Sequence, residues 1–139
     1  MTMVDIITKE QRSYNMSRVR SKNTKTEKII FKMLRVGGYK FKSHYSIIGK
    51  PDIAFPKYKI AIFIDGEFWH GKDFDVWKGK MSPFWLKKIY GNIERDKSNI
   101  RTLRKEGWRV LRLWHKDILR NQDKAFLKVV NFIEKNSLS

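Results

Sequence analysis

Residues 60–64 read Ile60-Ala61-Ile62-Phe63-Ile64, five apolar side chains in succession. A half-buried strand alternates apolar and polar positions. A continuous run leaves no polar face and suits a central strand covered on both sides. Pro56-Lys57-Tyr58-Lys59 turns the chain into this strand, and a second strand is expected at Asp52–Phe55, held between Pro51 and Pro56. Tyr39–Tyr45 alternates apolar and polar and reads as a third. Trp108–Trp114, rich in aromatic and branched residues, reads as a fourth.

Helical patterns separate these strands. Thr24-Lys25-Thr26-Glu27 has the spacing of a capping box, the apolar stripe Ile29, Ile30, Phe31, Met33 and Leu34 follows, and Gly37-Gly38 closes the helix. A long helix is expected over about 84–106, stopped by Gly107. An amphipathic helix over Ile118–Ile133 would bury Ile118, Phe126, Leu127, Val130, Phe132 and Ile133. The order is αβββαβα, an α/β sandwich with a mixed four-stranded sheet. Residues 24–139 make one domain. Residues 1–23 precede it as a basic arm, with little periodicity and most of their cations after Lys9.

Charge narrows the function. Thirty-one Lys and Arg against fourteen Asp and Glu give a formal +17, and the isoelectric point is near 10.2. A domain this basic points to a polyanionic partner, because neutralised phosphates release counterions. No run approaches the roughly 18 apolar residues of a membrane span, and no signal-peptide pattern is present. Cysteine is absent, which rules out disulfides and thiolate metal sites and fits a cytoplasmic protein.

Hydrolysing a phosphodiester calls for a metal at the phosphate, an activated water and charge relief at the leaving oxygen. Mg²⁺ takes one or two carboxylates besides water and phosphate. Gly49-Lys50-Pro51-Asp52 opens one strand and Asp65-Gly66-Glu67 closes the next. If these strands pair, Asp52 and Asp65 meet at one end of the sheet. Pro-Asp is also an ordinary turn dipeptide. The stretch Asp65-Gly66-Glu67-Phe68-Trp69-His70 then sets acids, two aromatics and a histidine at the end of a buried strand.

Five blocks carry a family resemblance: Gly49–Ile53, Phe63–His70, Phe84–Ile89, Asn92–Asp96 and Gly107–Leu111. In this order they resemble the signature blocks of very-short-patch-repair (Vsr) endonucleases, in the PD-(D/E)xK nuclease superfamily. The segment Met16–Thr24 and Glu27 also look like that family's N-terminal part. The resemblance implies a restriction-endonuclease-like fold and a Mg²⁺-dependent nuclease that nicks one strand of double-stranded DNA; a monomer is expected because a double-strand cut usually needs two active sites. The expected target is a T:G mismatch left by deamination of 5-methylcytosine. Mismatch-repair proteins or a cytosine DNA methyltransferase system are the partners such a role would bring.

Residue by residue, the resemblance implies Asp52 as the main metal ligand, helped by the backbone carbonyl of Ile64. It implies that His70 activates water and that Asp96 orients His70, with Asn92 one helical turn before Asp96 on the same side. A carboxylate partner fixes the tautomer of an imidazole and raises its basicity. Glu27 already has a role in the capping box, and the resemblance adds an acid beside the site at this position. Phe68, Trp69 and Trp85 match the family's wedging aromatics, which repay unstacking by stacking on bases, while Phe84 and Trp108 suit the core. Arg12, Arg18, Arg20 and Lys22 suit phosphate contacts.

The chain departs from the family at its zinc site. Where better-known members carry a cysteine before Phe-Trp-His, Glu67 stands here, and no cysteine lies near Lys116. No structural zinc is therefore expected; either Lys72, Asp73, Asp75 and Trp77 hold the loop after His70 by packing and ion pairs, or Glu67 joins the active site. Two other functions fit the same residues: a restriction or defence endonuclease of this fold without mismatch specificity, and a basic DNA-binding module without catalysis.

Overall fold

A computed structural model describes residues 25–66 and 82–137. Their elements are α1 (Lys25–Val36), β1 (Lys42–Ser43), β2 (Ile53–Phe55), a 3-10 turn (Pro56–Tyr58), β3 (Ile60–Asp65), α2 (Pro83–Lys105), β4 (Arg109–Trp114), α3 (His115–Arg120) and α4 (Gln122–Ser137). The basic arm of residues 1–23 lies outside them.

The strands form one mixed sheet in the order β1-β2-β3-β4. β1 and β2 run antiparallel, as do β2 and β3, while β3 and β4 are parallel over six pairs from Ile60↔Arg109 to Asp65↔Trp114. The apolar run is thus the inner strand its sequence requires. Its two faces go to different helices, as the two-residue period dictates. Ile60, Ile62 and Ile64 join Ile30, Leu34, Ile118, Val129 and Ile133 of α1, α3 and α4. Ala61 and Phe63 pack on the other face with Leu103 of α2. Gly107 ends α2 at φ 93°, a left-handed position that favours glycine.

Two expectations need correction. The strand read over Tyr39–Tyr45 shrinks to Lys42–Ser43, because His44 turns left-handed at φ 47° and breaks the extended path. The single C-terminal helix is two. Asn121 is extended between α3 and α4 (φ −155°, ψ 95°), and its Oδ1 accepts the Lys124 amide at 3.0 Å, capping a new helix. The break resets the buried face of α4 to Ala125, Val129 and Ile133 and leaves Leu127 exposed. Among the described residues, no helix is long and apolar enough to cross a membrane.

Candidate active site

The strand ends build the site. Continuing the β2–β3 register past Ile53↔Ile62 would pair the Ile64 amide with Pro51, but the Pro51 carbonyl accepts the Tyr45 amide at 3.1 Å. A buried N–H needs a partner. Asp52 supplies it through its side chain, with Oδ2 accepting the Ile64 amide at 2.6 Å. The Pro-Asp dipeptide thereby ends the ladder and fixes a carboxylate at the tip of the sheet. Within a strand, the N–H and C=O of one residue project to the same edge, so the Ile64 carbonyl is turned to the Asp52 side as well.

From the other layer, the first turn of α1 brings Glu27, which is 5% exposed. Its Oε2 lies 3.2 Å from Nε2 of His44, and its carboxyl shares a hydrogen bond with that of Asp52. One donor atom each from Glu27, His44 and Asp52 lie within 4.8 Å of one another. Burial, above all, pushes the Asp52 carboxyl up to about 9. Its hydrogen bond with Glu27 and the negative charges of Glu27 and Asp65 add to this, while the Ile64 amide opposes it. Without a cation, the Asp52 carboxyl is therefore favoured in its protonated form at neutral pH. A divalent cation would favour the ionised carboxylates and offset their mutual repulsion, so the donor set fits one.

A second cluster lies beside the first, towards α2. Arg112, on β4, donates from Nε to Oδ2 of Asp65 at 2.7 Å and from Nη2 to Oδ2 of Asp96 at 2.8 Å. Its guanidinium also sits 4.4 Å from the centre of the Trp114 ring. Asp65, Asp96 and Arg112, with Lys50 and Arg95, line a cleft of about 310 Å³. Asp52 and Asp65 do approach at one end of the sheet, near enough for the charge of Asp65 to be felt at Asp52. Asn92 accepts a hydrogen bond from Arg95 at 3.2 Å.

Several expected site residues lie outside the described residues: His70, Phe68, Trp69, Glu67, Arg12, Arg18, Arg20 and Lys22. Asp96 accepts a hydrogen bond from Arg112. At the start of α2 the expected roles of two rings are exchanged. Trp85 is 9% exposed and Phe84 is 68% exposed, the two rings meeting edge to face at 5.1 Å. Pro83 opens the helix, so Phe84 and Trp85 fall on successive directions about 100° apart, and only one can face the core.

Sequence reading missed His44 and Arg112. His44 sat on the polar face of an expected strand, and nothing local marks its turn towards Glu27. Arg112 did carry a signal: a cation inside Val110-Leu111-Arg112-Leu113-Trp114 interrupts a strand that is otherwise apolar, which calls for an acid nearby.

Comparison with known proteins places the chain in a family. A family model described as DNA mismatch endonuclease Vsr matches residues 4–76. The "Type II nicking enzyme V.HpaIIP" of Haemophilus parainfluenzae is 44% identical over 91% of this chain and 93% of its own length. The "Type II nicking enzyme V.NmeDIP" of Neisseria meningitidis serogroup C is 44% identical over 85% of this chain and 82% of its own. The "DNA mismatch endonuclease Vsr" of Escherichia coli (strain K12) is 36% identical over 81% and 74% respectively.

Proposed function

The chain belongs to the DNA mismatch endonuclease Vsr family and is a DNA endonuclease of restriction-endonuclease-like fold; from that premise we propose that it nicks one strand of duplex DNA at T:G mismatches left by deaminated 5-methylcytosine, using Mg²⁺. The observation that carries the metal-dependent reading is the meeting of Glu27 and Asp52 at the sheet tip. The names of its relatives, nicking enzymes and a mismatch endonuclease, support the choice of reaction.

In this reading Asp52 and Glu27, with the Ile64 carbonyl, would hold the cation. Bound there, it would offset charge on the scissile phosphate and lower the pKa of water. His70 takes the proton from the attacking water. Asp96 orients His70, and Arg112 holds Asp96 and Asp65 at a fixed separation so that neither carboxylate drifts towards the phosphate. Phe68 and Trp69 enter the base stack. Phe84, the outward ring of α2, takes the place first assigned to Trp85. A cytosine DNA methyltransferase system would supply the methylated sites whose deamination the enzyme answers.

The test is cleavage of end-labelled duplexes, matched and T:G-mismatched, with Mg²⁺ and with EDTA. A single Mg²⁺-dependent nick in the mismatched strand is the expected product. Equal cutting of both duplexes would replace the repair role with restriction or defence. DNA binding without any metal-dependent product would leave a binding module.

A further inference from the structure

His44 is the residue at this site that the proposed reaction does not yet use. We propose that His44 is a nitrogen ligand of the bound cation, making the centre a mixed nitrogen–oxygen site that binds Mn²⁺ in preference to Mg²⁺. This rests on the reading that Asp52 and Glu27 hold a divalent cation.

Geometry gives the first argument. Ligands on one octahedral ion at roughly 2.1 Å lie about 3 Å apart when adjacent and about 4.2 Å apart when opposite. The His44 Nε2 to Glu27 Oε2 distance is 3.2 Å, and the donors of Glu27, His44 and Asp52 all lie within 4.8 Å of one another. Small side-chain adjustments bring these spacings onto one ion.

The second argument is the way His44 is held. Its backbone is left-handed, at φ 47°, a conformation that is uncommon and strained for a residue with a side chain. The His44 amide donates to the Asp52 carbonyl at 3.0 Å, and the next amide, of Tyr45, donates to the Pro51 carbonyl at 3.1 Å. The residue that contributes the carboxylate therefore also fixes the backbone of the imidazole. The Phe31 ring packs against the imidazole edge, with centroids 5.8 Å apart at 63°. A turn of this kind is served more cheaply by glycine or asparagine, and neither would bring a ring nitrogen to Glu27.

Ligand chemistry gives the direction of selectivity. Imidazole is a poor ligand for Mg²⁺, which prefers all-oxygen surroundings, and a better one for first-row transition metals, of which Mn²⁺ gains the least. Two carboxylates and a neutral imidazole balance a dication without excess charge.

The experiment measures Mn²⁺ and Mg²⁺ affinity by titration calorimetry of the full chain. It also records pulsed electron paramagnetic resonance of bound Mn²⁺ for ¹⁴N modulation. Wild type, His44→Asn, His44→Gln and Asp52→Asn are compared. Asparagine tolerates the left-handed backbone, and thermal melts confirm that each variant is folded. The expected result is ¹⁴N modulation in wild type that disappears in both His44 variants. Mn²⁺ affinity should fall by about tenfold or more in those variants and Mg²⁺ affinity by less than about threefold. An Asp52-dependent Mn²⁺ signal with no ¹⁴N modulation would overturn the proposal and leave His44 as an ion-pair partner of Glu27. Modulation that survives in the His44 variants would overturn it too, placing the nitrogen on another histidine. Mn²⁺ binding untouched by Asp52→Asn would instead sink the underlying metal reading.

Discussion

Arg112 shows how much one side chain organises. Its guanidinium joins Asp65 and Asp96, acids from a strand and a helix, at 2.7 and 2.8 Å. All three side chains are largely buried, so losing the cation takes an ion-pair partner from each of two carboxylates. Arg112→Gln should lower unfolding free energy by about 1–3 kcal/mol in urea denaturation. Arg112→Lys should recover only part of this, since a point charge cannot make the two-sided fork. Full recovery by lysine would show that charge alone matters. Phe84 and Trp85 offer a paired test. Trp85→Ala should destabilise the fold by about 3 kcal/mol, as a buried ring does. Phe84→Ala should leave stability within about 0.5 kcal/mol and reduce the preference for mismatched over matched duplex in a cleavage assay. A Phe84→Ala enzyme with unchanged preference would remove that ring from DNA recognition.

At the level of the element, α2 does more than bridge β3 and β4. Lys97, Arg101 and Arg104 follow at helical spacing and, with Arg112, line a groove of about 470 Å³ whose described lining has no acid. Like charges at these spacings cost an isolated helix roughly 0.2–0.5 kcal/mol per pair, a cost that phosphates would relieve. The groove shares Ile100 and Arg112 with the cleft that holds Asp65 and Asp96, so a DNA strand lying in it leads to the site. Replacing Lys97, Arg101 and Arg104 with Gln should lower the slope of log affinity against log salt by about 0.9 for each phosphate no longer neutralised. The same change at Lys124 and Lys128, exposed on α4, should leave the slope alone. Equal slopes for both variants would turn the α2 stripe into an ordinary solvated face.

For the whole molecule, the Asp52 shift is a statement about stability. Its ordinary carboxyl value is 3.8 and the folded protein raises it to about 9. Between those values the folded chain holds a proton that the unfolded chain has released. The Asp52 contribution to metal-free stability is therefore fully present below the lower value and is lost as pH rises towards the upper one. Melting temperature in EDTA should drop from about pH 5 to about pH 9, and Asp52→Asn should flatten that dependence and raise the melting temperature at neutral pH. Saturating Mg²⁺ should stabilise wild type in proportion to the logarithm of its concentration and do little for Asp52→Asn. A pH-independent wild-type melt would place the Asp52 proton elsewhere.

The sequence by itself determined the element types and the sheet. A five-residue apolar run can satisfy both its faces only as an inner strand, and Gly107 can stop α2 because its φ lies where other residues strain. It also pointed to Asp52 and Asp65, acids placed where two expected strands open and close, although the use of the Asp52 carboxylate to take up the Ile64 amide is visible only in the fold. Boundaries were less legible where one side chain overrode periodicity: His44 truncates β1, and Asn121 splits the C-terminal helix through a cap that the apolar pattern does not encode. Which of Phe84 and Trp85 turns inward depended on the rotation of α2 against the sheet, and composition is silent on that angle. Only the tertiary structure decided that His44 meets Glu27 and that Arg112 joins Asp65 to Asp96. Those pairings span separations from 16 to 47 residues. They are fixed by how helices seat on the two faces of the sheet, because hydrogen bonds and ion pairs act over a few ångströms in space and carry no signal along the chain.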